Sequence, residues 1–582
     1  MGGCRASLGA LFGLIVLAAP IVALAQGGPV PLIPGLRGGA APASDQRPAE
    51  GQPSGAVPEG VQIERLGAVD SAGLGLLRET DGGLPRSFWQ GTDRAQIDRL
   101  VAAIQPTPSP AALNLARRLL LSEADMPPAD GGQSGLFASR IERLTAIGDP
   151  DSAFRLARLA PGSMATMRTV DAAFLADRPQ DACATLPSIP DSGRDAAWSK
   201  AFAFCRALAK DLAGANLQAG LLRERGEADP AFQALIAQLS GYGDDKLIDI
   251  KSPTPLQIAM LKAANKAPTG ATVEAMPPAG ARLVAEIAKV PAEIRWLAAE
   301  RAFVYGAMPV EALRTAYGRE EIAAKDLAAA LAARTADNAR FRAALFRAVQ
   351  RAAEGERSKV LSTALERLRA REGGLDTRLA MVHLDALLGI DPVPEAIGLA
   401  PKAARLLLVA GQEAAADGWE QLLRLEGRGG ALQAAREAVR LVPLLAVAAG
   451  ERLEPADLRD WIDAWRAGGP IEGFEGRAVA LLSALQGLGR EVPPDVWGRL
   501  AAAGGTTVGR RPNVATMQAM RASAQAGRMG ETIAYALIAL GGDSAAALEA
   551  DALATVLDSL VRIGFEREAR RLALEAAIGR GL

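Results

Sequence analysis

The sequence predicts an all-α protein, built as an α-solenoid of antiparallel helix pairs. Hydrophobic residues make up 49% of the chain and aromatic residues only 4%, with alanine and leucine dominating. Both are strong helix formers, whereas the β-branched and aromatic residues of strands are scarce. Amphipathic stretches of helix length follow one another, separated by Pro, Gly and Asp at 106–110 and 389–395. Because one core rarely serves a chain of 582 residues, several domains or a repeat array are expected.

A repeated turn supports the array. The segments IGDPDSA (147–153), ADRPQDA (176–182), AKDLAGA (209–215) and IGFEREA (563–569) each join an apolar helix end to a polar turn and an alanine. The first three lie roughly 30 residues apart, close to the tetratricopeptide period of about 34. Alanine pairs at 153/157, 215/219 and 569/573 would let paired helices approach closely. The prediction is a degenerate tetratricopeptide-like solenoid, with an irregular helical bundle as the alternative.

The first 60 residues have the composition of an export signal followed by a spacer. Arg5 precedes an apolar run that ends in small residues, which predicts a signal peptide over 1–25, cleaved after Ala25. An uncleaved signal anchor is the alternative, since the run is almost long enough to span a bilayer. Residues 26–60 are rich in proline and glycine without an apolar period, which predicts a disordered spacer.

The remaining chain divides into a cap and an array. Residues 61–91 are punctuated by glycine, and we expect a short irregular or hairpin-like cap with Trp89 packed on the first helices. Residues 92–582 form the predicted solenoid, with a possible break near 240–280. No segment after the signal has about 18 consecutive apolar residues, so no transmembrane segment is expected in the mature chain.

Charge and motif content argue against several function classes. The formal net charge is −1, which gives no basic excess for binding nucleic acid. His383 is the only histidine, so metal sites with several histidines are excluded, and most Ser-His or Cys-His arrangements would depend on this one residue. It is interpreted as a packed or surface residue. Phosphate-binding and nucleophile motifs are absent. We therefore expect no catalytic residues, no metal site and no cofactor.

Two cysteines lie beyond the signal, Cys183 and Cys205. In the repeat alignment they fall on consecutive antiparallel helices, near the start of one and the end of the next. An exported chain enters an oxidising compartment. The spacing therefore predicts a Cys183–Cys205 disulfide that would contribute about 3 kcal/mol.

One polar and aromatic cluster at helical spacing is a candidate interaction patch. It comprises Arg295, Trp296, Glu300 and Arg301. The alternative interpretation is a core tryptophan flanked by surface ion pairs.

The segments GGLPRSFWQGTDR (82–94), ALNLARRLLLSEAD (112–125), LAAERAFVYGAMPVEALRTAYG (297–318) and LVRIGFEREARRLALEAA (560–577) carry a family resemblance. The chain resembles an uncharacterised family of secreted alphaproteobacterial Ala-rich helical proteins, some labelled antifreeze glycopeptide-like. No regular threonine array supports that label here. The resemblance implies a Gram-negative periplasmic location and no assigned activity.

The predicted function is a non-catalytic periplasmic scaffold or adaptor. Stacked helix pairs form extended surfaces that bind protein partners. The alternative is an envelope or peptidoglycan-remodelling enzyme or its regulator, because soluble lytic transglycosylases carry a similar Ala-rich superhelix. Their catalytic half is not recognisable in this sequence.

Overall fold

The computed structural model describes residues 71–128, 135–160, 166–227, 229–370, 372–467, 473–501 and 509–582. The predicted signal peptide (1–25), the spacer (26–60) and the first part of the cap lie outside these residues. Within the described ranges the protein is all-α, with 28 α-helices and only isolated β-bridges. One continuous hydrophobic core runs through them, from Ala72 to Leu582.

The helices are joined mostly by short turns. In the described segments none is both long and apolar enough to cross a membrane. The first fourteen are α1 (Arg94–Ala103), α2 (Pro110–Leu121), α3 (Leu136–Ala146), α4 (Pro150–Ala157), α5 (Met167–Leu175), α6 (Pro179–Thr185), α7 (Ala196–Leu208), α8 (Leu212–Glu224), α9 (Pro230–Leu239), α10 (Pro255–Ala263), α11 (Gly270–Ala275), α12 (Pro278–Glu286), α13 (Ala292–Val304) and α14 (Val310–Gly318). The others are α15 (Ala324–Ala332), α16 (Ala339–Arg351), α17 (Glu354–Arg367), α18 (Leu384–Leu388), α19 (Ala400–Val409), α20 (Glu413–Arg428), α21 (Leu432–Ala449), α22 (Pro455–Arg466), α23 (Phe474–Gly487), α24 (Pro494–Ala501), α25 (Val514–Gln525), α26 (Met529–Leu540), α27 (Ala550–Arg562) and α28 (Glu566–Gly579).

The four aligned turns share one backbone conformation. Their second residues, Gly148, Asp177, Lys210 and Gly564, all have positive φ, at 90°, 62°, 67° and 87°. In the first turn the next amide, Asp149 N, donates back to Leu144 O (2.9 Å), and the other three turns repeat this bond. This is the Schellman ending of a helix, which reverses the chain within a few residues. The sequence alignment therefore located structurally equivalent turns.

The alanine pairs behind these turns are buried. Ala153, Ala215 and Ala569 are fully covered, and their partners four residues on are nearly so. Small side chains at this spacing let the two helices of a pair pack closely. This helix-pair packing is consistent with a helical solenoid.

The described part of the cap is irregular. Short 3₁₀ helices occupy Ser71–Gly73 and Glu79–Asp81, and Leu77 forms a single parallel bridge with Ser122 after α2. Thus residues 71–91 form no hairpin. Trp89 is buried, but it lies against Gly530 at the start of α26, not only against the first helices.

Residues 240–254 interrupt the helical pattern between α9 and α10. Helix α10 packs against α9 and also against α5. Helix packing therefore continues across the stretch where the sequence predicts a possible break.

The first and last helices of the array are neighbours. Helices α1 and α2 contact α26, and α2 also contacts α28. Gly530 N donates to Phe88 O (2.7 Å), and a side chain at Gly530 would collide with Phe88 and Trp89. The ends of a solenoid each leave an apolar face that must be covered. Here each end covers the other, so the array is not open-ended.

The contact between the two ends is polar at its margins. We call it the closure seam, defined by hydrogen bonds from residues of the first helices to residues of the last: Thr92 to Glu531 (3.1 Å), Gln96 to Tyr535 (2.7 Å), Arg118 to Glu568 (2.7 Å), and Ser109 to Glu575.

A candidate ligand cavity at the closure seam

A cavity of about 300 Å³ lies beside the closure seam. Three distant parts of the chain form its wall: the turn before α2, residues 304–305 with 370–378, and residues 542–546 with α28. Its polar lining comprises Ser109, Tyr305, Glu372, Asp376, Thr377, Arg378, Asp543, Ser544 and Glu575. Four of these nine side chains are carboxylates and one is a cation.

Glu575 lies on α28 and faces the start of α2. Its carboxylate accepts hydrogen bonds from Ser109 Oγ and from Ala111 N (3.1 Å). Free amides at a helix N-terminus favour an anion, so Glu575 caps α2 from across the seam. Burial nevertheless outweighs these bonds and raises the pKa of Glu575 to about 7. At neutral pH both the ionised and the protonated form of the Glu575 carboxyl are therefore populated.

Asp376 uses one oxygen to hold the local backbone. Its Oδ1 accepts from Arg378 N (3.1 Å) and Leu379 N (2.9 Å), which starts the 3₁₀ helix Leu379–His383. Its Oδ2 accepts no hydrogen bond from the described residues, although the side chain lines the cavity. Burial raises the pKa of Asp376, against the backbone bonds and the charge of Arg342 that lower it.

The cation of the lining, Arg378, donates to carbonyl oxygens. Its Nε lies 3.2 Å from Val304 O, its Nη2 donates to Phe303 O, and its guanidinium stacks 4.3 Å from the Phe303 ring centre. Burial lowers its pKa to about 10, even though Glu575 and Asp376 act in the opposite direction. Arg378 therefore anchors the end of α13 and does not form an ion pair with either carboxylate.

The other two acidic residues of the wall, Asp543 and Glu372, already have partners. Asp543 forms an ion pair with Arg510 (3.0 Å), and Ser544 Oγ lies 3.5 Å from Glu372. No group of three metal-ligating side chains occurs among the described residues. The arrangement thus places carboxylates and hydroxyls on one wall, and Glu575, whose pKa is raised to about 7, could exchange a proton near neutral pH.

The predicted interaction patch is not a surface patch. Arg295, Trp296 and Glu300 are buried, each 4% exposed, and Arg301 is half-buried. Their helix, α13, is covered by α12, α14 and α16.

Three of the four side chains instead tie α13 to neighbouring backbone. Trp296 Nε1 donates to Ala316 O (3.1 Å), and Arg301 Nε donates to Met276 O (2.9 Å). Arg295 donates to Val290 O (2.7 Å). The interpretation of Trp296 as a core residue is therefore correct, but the ion pairs beside it are internal.

Glu300 is the centre of a fully partnered cluster. Arg342 donates to both of its oxygens (2.9 and 2.5 Å), and Tyr317 Oη donates to one of them (2.5 Å). Burial and the charge of Glu300 raise the pKa of Tyr317. Burial lowers the pKa of Arg342, but its bonds to Glu300 dominate and raise it. We call Glu300, Tyr317 and Arg342 the Glu300 cluster.

The predicted Cys183–Cys205 disulfide is present. Cys183 lies on α6 and Cys205 on α7, with Cα atoms 5.6 Å apart. The bond braces α6, a helix of seven residues that continues into a short 3₁₀ turn at Leu186–Ser188. No histidine lies on either helix, so the cysteines have a structural role.

His383 is a packed residue. It is 1% exposed, and its ring lies 6.1 Å from that of Phe346. Neither ring nitrogen has a hydrogen-bond partner among the described residues. Burial, with a smaller effect of Arg314, lowers its pKa to about 3, so His383 is neutral at physiological pH.

The sequence analysis did not identify the cavity residues. Ser109 belongs to a segment interpreted only as a turn, and Glu575 is one of many carboxylates on helices. Their sequence separation of 466 residues leaves no local motif. The one available signal was the polar turn PTPSP before α2, which also marks ordinary helix starts.

Comparisons with models of protein families, with curated proteins and with solved structures found no match. A function is therefore proposed from the contacts described above.

Proposed function

We propose that this protein is a non-catalytic scaffold of the bacterial periplasm that binds a protein partner on its helical surface. The signal-like N-terminus and the Cys183–Cys205 disulfide support export to an oxidising compartment. Export predicts that the mature chain begins at Gln26, which N-terminal sequencing of the periplasmic protein would check. An exposed apolar surface on α8 is the observation that carries the binding proposal.

The surface lies on the side of α8 that faces solvent. Leu217 and Leu221, four residues apart, are 65% and 38% exposed. The hydrogen bond from Asn216 Nδ2 to Ser240 Oγ (3.1 Å) brings the following segment alongside, where Tyr242 is 85% exposed. We call these three residues the α8 surface. Leu217 and Leu221 lie on one exposed side of α8, and exposed large apolar side chains at such spacing are typical of interaction sites.

The chemistry of the partner follows from the spacing. The opposite face of α8, with Ala215, Ala219 and Leu222, is buried within the array. The exposed residues repeat the same four-residue spacing by which helices of this protein pack together. The partner segment is therefore an amphipathic helix, added to the array as a further helix would be.

The test is site-specific photo-crosslinking in the periplasm from position 221, followed by identification of the bound peptide. We expect one major adduct, to an amphipathic helical segment, that the double change Leu217→Glu and Tyr242→Glu reduces about tenfold. Position 425 is the matched control, since Leu425 is a 63% exposed leucine on α20, in another part of the array. Equal crosslinking from 221 and 425 would contradict the proposal.

A second candidate is an envelope or peptidoglycan-remodelling enzyme or its regulator. The observation in its favour is the cavity, where two carboxyls with raised pKa share one wall with several hydroxyls. Incubation of the purified protein with peptidoglycan tests it. Release of soluble fragments by the wild type but not by Glu575→Gln would replace the scaffold proposal, and no release would retain it.

A further inference from the structure

A groove of about 310 Å³ lies between α20 and α21, and it shares no residue with the cavity at the closure seam. We call it the α20–α21 groove. Helix α21 contributes only apolar side chains to its lining, whereas α20 contributes two arginines, Arg424 and Arg428. The lining includes no carboxylate from the described residues. The groove is therefore apolar along one wall and cationic along the other.

The apolar wall remains partly exposed. Val439 and Val442 line it, and both are half-buried and lie outside the continuous hydrophobic core. A side chain at Gly427 would collide with Ala435, so the two helices meet closely beside this wall. Apolar side chains that stay partly exposed in a concave site favour an apolar ligand, because its binding removes them from water.

The cationic wall has one charge without a partner. Arg424 forms an ion pair with the buried Glu420, one turn earlier on α20. Arg428, one turn further on, has no ion pair or hydrogen bond with any described residue. The planar guanidinium of an arginine matches the two oxygens of a carboxylate. Arg428 therefore favours an anionic group at one end of an apolar ligand.

We propose that the α20–α21 groove binds a fatty acid, with the alkyl chain against Val439 and Val442 and the carboxylate on Arg428. A fatty acid combines these two chemistries in one linear molecule. The volume of about 310 Å³ lies at the lower end of the range for small-molecule sites. It therefore suits a single chain of medium length and not a phospholipid with two chains.

Titration calorimetry of the purified protein with hexanoate, octanoate and decanoate tests this inference. Burial of one methylene is worth about fourfold in affinity, so each step of two carbons should tighten binding by about four- to tenfold. Octanol, which lacks the charge, and octyltrimethylammonium, which has the opposite charge, should bind at least about tenfold more weakly than octanoate. No saturable binding of decanoate up to about 5 mM, or equal affinity for all three acids, would overturn the inference.

The variant Arg428→Gln removes the free charge from an exposed position. We expect it to weaken decanoate binding about tenfold with unchanged helical content, whereas Arg428→Lys should retain more of the affinity. Arg436→Gln is the matched control, since Arg436 lies on α21, has no ion pair with the described residues and does not line the groove. Unchanged affinity in Arg428→Gln, or an equal loss in Arg436→Gln, would overturn the site.

Vesicles of phosphatidylglycerol distinguish a free fatty acid from a membrane surface. The protein should stay in the supernatant when these vesicles are sedimented. Cosedimentation that Arg428→Gln abolishes would assign Arg428 to lipid head groups and overturn the fatty-acid proposal. The inference does not rest on the α8 surface, so either can fail alone.

Discussion

Glu300 and Glu575 of the cavity wall are both carboxylates away from water, but only Glu300 is hydrogen-bonded to a cation. Arg342 binds both oxygens of Glu300, and Tyr317 completes the shell. Glu575, in contrast, has only Ser109 and the Ala111 amide as donors, both neutral. The Glu300 cluster is a closed structural unit, whereas Glu575, with a pKa raised to about 7, can change protonation near neutral pH.

The difference shows how burial acts with and without a counter-charge. Desolvation disfavours a carboxylate, and a nearby cation in good geometry opposes it. Where a cation is bonded to the carboxylate, as in the Glu300 cluster, both carboxylate oxygens have a charged donor. Where it is missing the pKa rises toward neutrality, as at Glu575. A buried acidic group is therefore a stronger indicator of function when its neighbours are neutral.

Removal of the Glu300 carboxylate should have the largest effect on the free energy of unfolding. Glu300→Ala should reduce the free energy of unfolding by about 3–5 kcal/mol, because Arg342 would remain buried without its counter-charge. Urea denaturation followed by circular dichroism measures it. Glu293→Ala is the control, since Glu293 is exposed and pairs with the exposed Arg340 at 3.1 Å. Equal effects of both changes would mean that the Glu300 cluster is no more than a surface ion pair.

Neutralisation of Glu575 should have a smaller effect on the free energy of unfolding, and of opposite sign. Because the pKa of Glu575 is raised to about 7, its favourable contribution is present below its unfolded pKa near 4.5 and is lost as the pH rises through 7. Glu575→Gln should therefore be close to the wild type at pH 4 and exceed it by about 1–3 kcal/mol at pH 8. Urea denaturation at both pH values measures the difference.

The comparison with wild type isolates Glu575 from other groups. Asp171 and Asp376 also have pKa values raised by burial and act in the same direction, and His383 acts in the opposite direction. These groups are present in both proteins and cancel. A Glu575→Gln variant that is less stable than the wild type at pH 8 would show that the ionised carboxylate is needed as the cap of α2.

His383 extends the comparison to a buried group that is neutral, and its expected effect is the smallest. His383→Leu should raise the free energy of unfolding by about 1 kcal/mol at pH 7, because it removes two buried nitrogens without partners. Thermal unfolding measures it, with His383→Gln as the polar control that should destabilise. A loss of stability in His383→Leu would show that packing against Phe346 requires the ring.

Sequence patterns predicted the local parts of this fold well. The alignment of four turns located four residues of positive φ, because helix reversal requires a fixed set of backbone angles within a few residues. The disulfide followed from the same alignment, since antiparallel neighbours bring Cys183 and Cys205 together. Helix identity, turns and pairing between consecutive helices all depend on residues close in sequence.

The cavity and the closure seam could not be predicted in this way. An amphipathic pattern identifies the apolar face of α2 but not which distant helix covers it. The candidate patch on α13 failed for the same reason, because Arg295 and Glu300 look like surface residues until α12, α14 and α16 are placed around them. Polar side chains that are hydrogen-bonded across hundreds of residues form no local sequence motif.

The closure seam also sets conditions on how the protein reaches its folded state. Hydrogen bonds such as Ser109 to Glu575 join residues 466 positions apart, so they form only after nearly the whole chain is available. Contacts of such long range are slow to form, and exposed apolar faces invite misassembly in the meantime. Helices α1 and α2 are made first but covered last. The sides of these two helices that α26 and α28 cover therefore stay exposed until the end of the chain has folded.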